Sequence, residues 1–151
     1  MKRQEKNIKK KVSKVDPTKN IVEEPIAEYR TVRAIPTLKD FTFNEFKKIA
    51  DKAPFSQAEW AGFLHLSERT LQRYAKSNGM FAPMNAERVL QIGKVLEQGK
   101  ITFGKVENFY TWLKEEPFML EGQLSLDSLS TYDGIEMILT QLSRIQHGNF
   151  A

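Results

Sequence analysis

The 151-residue sequence contains no cysteine and only two histidines, His65 and His147. The absence of cysteine excludes disulfides, thiolate metal sites and cysteine nucleophiles, and it fits a reducing compartment. No apolar run approaches the roughly 20 residues that span a bilayer, and no apolar signal core follows the basic N-terminus. These absences predict a cytoplasmic protein, and no metal or other cofactor is expected.

Groups that could perform catalysis are also few. Glu115 and Glu116 are adjacent, and neighbouring residues on a helix point in different directions. His147 lies beside a predicted helix end, where the helix dipole favours a histidine, and this interpretation is preferred to a catalytic one. The sequence has neither a phosphate-binding glycine loop nor a metal-spaced cluster of histidines and acids. It therefore predicts a binding protein rather than an enzyme.

The net charge of +4 is unevenly distributed along the chain. Residues 1–20 carry eight Lys or Arg against two acids, and residues 21–102 carry twelve against ten. Residues 103–151 carry three against seven, so the last third of the chain is acidic. A role in nucleic-acid binding would belong to the first two segments.

Residues 1–40 predict a flexible basic tail and linker. The Lys-rich beginning has no steady apolar period, which is typical of disorder. This segment is either a solvent-exposed tail that keeps the chain soluble or a basic arm that binds along DNA phosphates. Pro25 and Pro36 indicate an extended connector, although the apolar residues between them could instead lie in a groove or form a first helix.

The stretch SQAEWAGFLHLSERTLQRYAK, residues 56–76, predicts two short helices joined by a tight turn at His65-Leu66. Ser56 and Glu59 have the spacing of a capping box, and Ser67 is a natural N-cap for the second helix. Short helices that cross at such a turn form the helix-turn-helix motif.

The second helix of this pair carries a polar outer face. Arginine can bond guanine and glutamine can bond adenine, while lysine and serine suit phosphate. This is the design of a DNA-reading helix, although many such faces are only solvated. The predicted DNA-binding residues are Gln57, Ser67, Arg69, Thr70, Gln72, Arg73 and Lys76.

The pair resembles the Xre-type helix-turn-helix family. The resemblance rests on Gln57, Ala61, Leu66-Ser67, Leu71 and Tyr74 at their spacing in this sequence. One position departs from the family pattern, because His65 replaces the usual turn glycine. A non-glycine residue is uncommon in a left-handed conformation, although histidine is among the tolerated types.

Further helices are predicted on both sides of the pair. Thr42 and Glu45 have capping-box spacing and predict a supporting helix over residues 42–53. Ser77-Asn78-Gly79 is expected to end the recognition helix. A longer helix is predicted from Pro83 to Gln98, with Gly99 as its end.

The C-terminal third predicts a small helical unit. One helix is expected over residues 101–116, followed by an irregular segment after Pro117. Thr131 is expected to cap a final helix that ends at His147-Gly148. The many apolar side chains of this unit are either core or a surface for a partner.

This third resembles the toxin-binding domain of the Xre/MbcA/ParS antitoxins, which pair with RES-domain toxins. The matching features are Trp112-Leu113, Pro117, Gly122, the segment from Leu126 to Leu129, Thr131-x-x-Gly134 and Ile145-x-His147-Gly148. Together with the helix-turn-helix, the resemblance covers residues 41–151. It departs from the family at Met119-Leu120-Glu121, where a loop rich in small residues is usual.

The resemblance implies an all-α antitoxin with a helix-turn-helix domain over residues 41–99 and a toxin-binding domain over residues 100–151. It would block an NAD-depleting RES toxin and repress its own operon as a homodimer on operator DNA. The residues implied in toxin binding are Trp112, Phe118, Leu120, Leu126, Leu129, Ile145, His147, Gly148, Asn149 and Phe150. The alternative is a stand-alone transcriptional regulator whose C-terminal unit serves dimerisation or sensing.

Overall fold

A computed structural model of the chain describes residues 41–148, which are mostly helical. The predictions for residues 1–40 and for Asn149 and Phe150 lie outside the described residues. In chain order the helices are α1 (Phe43–Ala50), α2 (Gln57–Phe63), α3 (Glu68–Ser77), α4 (Pro83–Phe103), α5 (Val106–Lys114) and α6 (Tyr132–Gln146). Between α5 and α6 lie two short strands, β1 (Phe118–Met119) and β2 (Gly122–Gln123), and a 3-10 helix (Leu126–Ser130).

The helix-turn-helix pair begins and ends where its local signals predict. Ser56 and Glu59 form a reciprocal capping box on α2, and the Ser67 hydroxyl accepts a hydrogen bond from the Thr70 amide at the start of α3. Asn78 ends α3 in the left-handed conformation with a φ of 46°. His65 also adopts a left-handed conformation, with a φ of 54°. The histidine therefore has the backbone conformation for which a glycine is usual at this turn.

The predicted capping box at the start of α1 is wrong. Thr42 is the N-cap, but its side chain makes no capping bond. The first amides of α1 instead donate to the end of α3, because the Phe43 amide bonds the Gly79 carbonyl at 2.9 Å and the Asn44 amide bonds Asn78 Oδ1 at 3.0 Å. Residues distant in sequence therefore provide the acceptors for the first two amides of α1.

Helix α4 continues past its predicted end at Gly99. It runs to Phe103 and ends at Gly104, whose φ of 81° suits glycine. Gly99 is buried, and a Cβ there would collide with the ring of Phe109 on α5. The glycine therefore serves close helix packing rather than helix termination. The prediction of a single helix over residues 101–116 is therefore wrong, because residues 101–103 belong to α4 and the chain is divided at Gly104 before α5 begins.

The C-terminal segments pack around α4. The antiparallel strands β1 and β2 form a small hairpin, and Thr131 caps α6 through its hydroxyl, as predicted. Gly134 lies against the backbone of the 3-10 helix so closely that a Cβ would collide with the Ser128 carbonyl. This close contact explains why the Thr131-x-x-Gly134 feature carries a glycine.

Within residues 41–148 the buried apolar side chains form one connected core. It joins α1, α2 and α3 to α4, α5, α6 and the 3-10 helix. Its members include Phe46, Trp60, Leu71, Val89, Ile92, Phe109, Leu113, Leu129, Ile135, Ile138 and Leu142. The predicted boundary between residues 99 and 100 lies inside α4, so the helix-turn-helix and the C-terminal segments share this helix.

We expect Gly99→Ala to lower the free energy of unfolding by about 1–3 kcal/mol, the usual cost of overpacking a core. The added methyl group would meet the Phe109 ring, which is fully buried and cannot move aside freely. Gly62→Ala is the matched control, because nothing lies within 4 Å of a Cβ at that exposed helical position. This control should raise the free energy of unfolding by about 0.5–1 kcal/mol, because alanine favours a helix over glycine by that amount. Urea unfolding checks both values, and equal losses for the two variants would contradict the packing role of Gly99.

Candidate nucleic-acid interface and C-terminal surface

Helix α3 gathers most of the predicted DNA-binding residues on one surface. Ser67, Arg69, Thr70, Gln72, Arg73 and Lys76 line a shallow recess along its outer side. Thr70 is half-buried, and the other five are exposed. The opposite side of the helix holds it in place, since Leu71 is fully buried and the Tyr74 ring packs on Phe81 at a centroid distance of 5.1 Å.

The cations on the outer side of α3, which we call the recognition face, are exposed to solvent. Among the ion pairs within residues 41–148, none involves Arg69, Arg73 or Lys76. The Arg73 guanidinium lies 5.7 Å from the centre of the Tyr74 ring and makes a cation–π contact with it. Arginine side chains can bond the edge of a base or a phosphate.

Three predicted DNA-binding residues have more restricted positions. The hydroxyls of Ser67 and Thr70 lie 2.9 Å apart, and the Ser67 hydroxyl also accepts the Thr70 amide as the cap of α3, so their capacity for a phosphate is partly used. Gln57 is the first residue of α2 and is exposed, but it does not line the recess on α3.

Residues 43–92, from the start of α1 to the middle of α4, match the sequence model of the antitoxin Xre-like helix-turn-helix domain. This part of the chain is similar to the DNA-binding domain of Xre-type antitoxins. The match covers 50 of the 151 residues, and it supports a DNA-binding regulator of the antitoxin type rather than an enzyme. None of the curated proteins compared with the chain matches it.

The hairpin after α5 carries two strongly exposed side chains among the predicted toxin contacts. Phe118 is 83 % exposed and Leu120 is 77 % exposed. The hairpin is tied to the last helix, because Arg144 Nη2 lies 2.6 Å from Glu121 Oε1. Two large apolar side chains thus project into solvent from a small element that also forms an ion pair with α6.

The remaining predicted toxin contacts are divided between surface and core. His147 and Gly148 are exposed, while Trp112, Leu126 and Ile145 are half-buried. The prediction that Leu129 faces a partner is wrong for this conformation, because Leu129 is fully buried and belongs to the core beneath the 3-10 helix. The Leu-rich segment had no clear period from which the buried leucine could be distinguished.

Two side-chain contacts that the sequence did not predict connect the helix-turn-helix to the C-terminal segments. His65 Nε2 lies 2.8 Å from the Ser130 carbonyl oxygen, 65 residues further along the chain. The Tyr110 hydroxyl donates to Glu59 Oε1 at 2.9 Å. The only signal for the first contact was the histidine at a glycine position, and Tyr110 appeared only as one aromatic among several.

The structure also bears on metal binding and membrane insertion. Residues 41–148 contain no group of three or more His, Cys, Asp or Glu side chains that could hold a metal ion. In the same range, no helix combines the length and apolar character needed to cross a membrane.

The contact with Glu59 raises the pKa of Tyr110 above its ordinary value of 10.0, first through the hydrogen bond, then through burial and the carboxylate charge. The phenol therefore keeps its proton to higher pH when the chain is folded. The stabilisation that the protonated Tyr110 phenol gives the folded chain is fully present below pH 10. It is lost as the pH rises through the folded-state pKa.

We expect Glu59→Ala to return the pKa of Tyr110 towards its ordinary value, because the largest cause of the shift is removed. The measurement is an alkaline titration followed by the NMR signal of the Tyr110 ring carbon that bears the hydroxyl. Glu45→Ala removes an exposed carboxylate of α1 and should leave that titration unchanged. An identical titration in wild type and Glu59→Ala would refute the hydrogen bond as the cause.

Proposed function

We propose that this protein is the antitoxin of a type II toxin–antitoxin pair, which represses its own operon by reading operator DNA with α3. The observation that carries the DNA-binding part is the exposed outer side of α3, which presents Arg69, Gln72, Arg73 and Lys76 along one recess. The match of residues 43–92 to an antitoxin helix-turn-helix domain supports it. Such a regulator would act in the cytoplasm.

In this proposal α3 lies in the major groove. Arg73 and Gln72 would contact base edges, because their side chains can make paired hydrogen bonds with guanine and adenine. Arg69 and Lys76 would contact phosphates, and Gln57 and Ser67 would fix the orientation of the pair on the backbone. Operators of helix-turn-helix proteins commonly mirror a protein two-fold axis, so a homodimer on a symmetric operator is part of the proposal.

The C-terminal segments would bind a RES-domain toxin that depletes NAD. Phe118 and Leu120 support this part, since large apolar side chains that project from a held element are typical anchors of a protein interface. Trp112, Leu126 and Ile145 would border the contact, and His147 to Phe150 would block the entrance to the toxin's active site. The acidic character of residues 103–151 would steer the domain towards a basic cleft.

We expect Arg73→Ala and Gln72→Ala each to weaken binding to the operator by about 1–3 kcal/mol, the usual value of one base contact. The operator is the duplex upstream of the gene, and binding is measured by fluorescence anisotropy at fixed salt. Lys94→Ala, which removes an exposed cation of α4 outside the recognition face, is the control and should bind like wild type. If both variants bind the operator with wild-type affinity, the assignment of the outer side of α3 as the DNA-binding surface is wrong.

We expect deletion of residues 147–151 to abolish neutralisation of the toxin without affecting DNA binding. The deletion should start after Gln146, because its side chain donates to Gln98 Oε1 at 3.1 Å and to Thr102 Oγ1 at 2.8 Å and so helps hold α6 on α4. The test co-expresses tagged antitoxin with the protein encoded beside it and follows capture and host-cell growth.

Wild type should capture that neighbour and restore growth, and the truncated chain should restore neither growth nor full capture. If growth is restored equally by both chains, the blocking model is wrong. If even wild type captures nothing and the neighbour is harmless, the stand-alone regulator is the better description.

A further inference from the structure

Helix α2, the first helix of the helix-turn-helix, is held at both ends by the C-terminal part of the chain. At its start, Glu59 accepts the Ser56 amide through Oε2 at 2.7 Å and the Tyr110 hydroxyl through Oε1 at 2.9 Å. At its end, His65 Nε2 lies 2.8 Å from the Ser130 carbonyl oxygen. We call the Glu59–Tyr110 and His65–Ser130 hydrogen bonds the α2 clamp.

The backbone conformation of His65 indicates that its imidazole has a structural role in the turn. A φ of 54° is a conformation that glycine adopts with less strain than histidine. The imidazole reaches a carbonyl at the end of the 3-10 helix, where carbonyl groups lack a partner within the helix. The side chain thus connects two elements that a glycine could not connect.

Apolar packing runs between the two hydrogen bonds and makes the clamp continuous. The Tyr110 ring lies 5.8 Å from the Phe55 ring, which in turn contacts Trp60 and Phe63 of α2 at 5.5 and 5.1 Å between centroids. The 3-10 helix also packs directly on α2. The C-terminal part therefore contacts α2 along its length, with a polar bond at each end.

We propose that His65 and Tyr110 are positioning residues for DNA reading, an inference that rests on the proposed DNA-binding function. Neither residue lines the recess on α3. His65 lies in the turn only two residues before Ser67, the N-cap of α3, so its bond to Ser130 fixes the point from which the recognition helix leaves α2. Tyr110 fixes the opposite end of α2, and together the two bonds set the direction in which α3 presents its outer side.

The test uses the full chain with His65→Gly, Tyr110→Phe and the double variant. His65→Gly removes the imidazole while favouring the left-handed turn, and Tyr110→Phe removes only the hydroxyl and keeps the ring on Phe55. Glu116→Gly is the control for the backbone, because Glu116 has a similar φ of 53° outside the helix-turn-helix. Tyr132→Phe is the control for the hydroxyl, because Tyr132 is 58 % exposed and lies outside the clamp.

The first measurement needs no DNA and follows amide hydrogen exchange. We expect exchange in residues 57–64 to become about fivefold faster for each clamp bond lost, the factor that corresponds to a typical net hydrogen bond. Exchange in residues 135–142 of α6 should stay as in wild type, as should all exchange in the two controls. A uniform acceleration across both helices, or none at all, would overturn the positioning role.

The second measurement compares binding to the duplex upstream of the gene with binding to a random-sequence duplex of equal length. We expect the double variant to lose about tenfold or more in the first affinity and to keep the second, because phosphate contacts tolerate a reoriented helix better than base contacts do. An unchanged ratio of the two affinities would overturn the proposal. If wild type itself prefers neither duplex, the proposed DNA-binding function fails, and hydrogen exchange alone decides the clamp.

Discussion

The close approach of the Phe109 ring to the backbone of α4 at Gly99 determines how the two halves of this protein are joined. Helix α4 has 21 residues and is about 32 Å long, so it is long enough to contact α1, α5 and α6. Because no side chain separates Gly99 from Phe109, α5 lies directly on α4 and brings Tyr110 within reach of α2. A larger residue at that point would move α5 outwards and with it the contact to the helix-turn-helix.

The sequence predicted those features that depend on residues three or four apart. The capping bonds of Ser56, Ser67 and Thr131 and the left-handed end at Asn78 all formed as expected, since their partners lie within one helical turn. The outer side of α3 was predictable for the same reason, because helical spacing alone brings its polar residues together.

The predictions that failed depended on distant partners. Gly99 has the composition of a helix end, but its neighbour in space is a ring ten residues further along, and the helix continues. Thr42 makes no capping bond, and the acceptors for the first two amides of α1 come from residues 78 and 79. In the irregular segment before α6, the sequence could not distinguish the buried Leu129 from the half-buried Leu126, because the short 3-10 helix gives no repeated apolar face.

The elements that hold α2 are also the elements that present the C-terminal surface. Tyr110 lies on α5 two residues before Trp112, and Ser130 ends the 3-10 helix that Leu126 begins. A molecule that bound this surface could alter DNA affinity only if it bound one arrangement of these elements more tightly than another. Any such coupling would be reciprocal, so DNA on α3 would change the affinity of the C-terminal surface by the same factor. The α2 clamp supplies a direct physical contact for such coupling, since each of its two hydrogen bonds joins the helix-turn-helix pair to an element that carries the C-terminal surface.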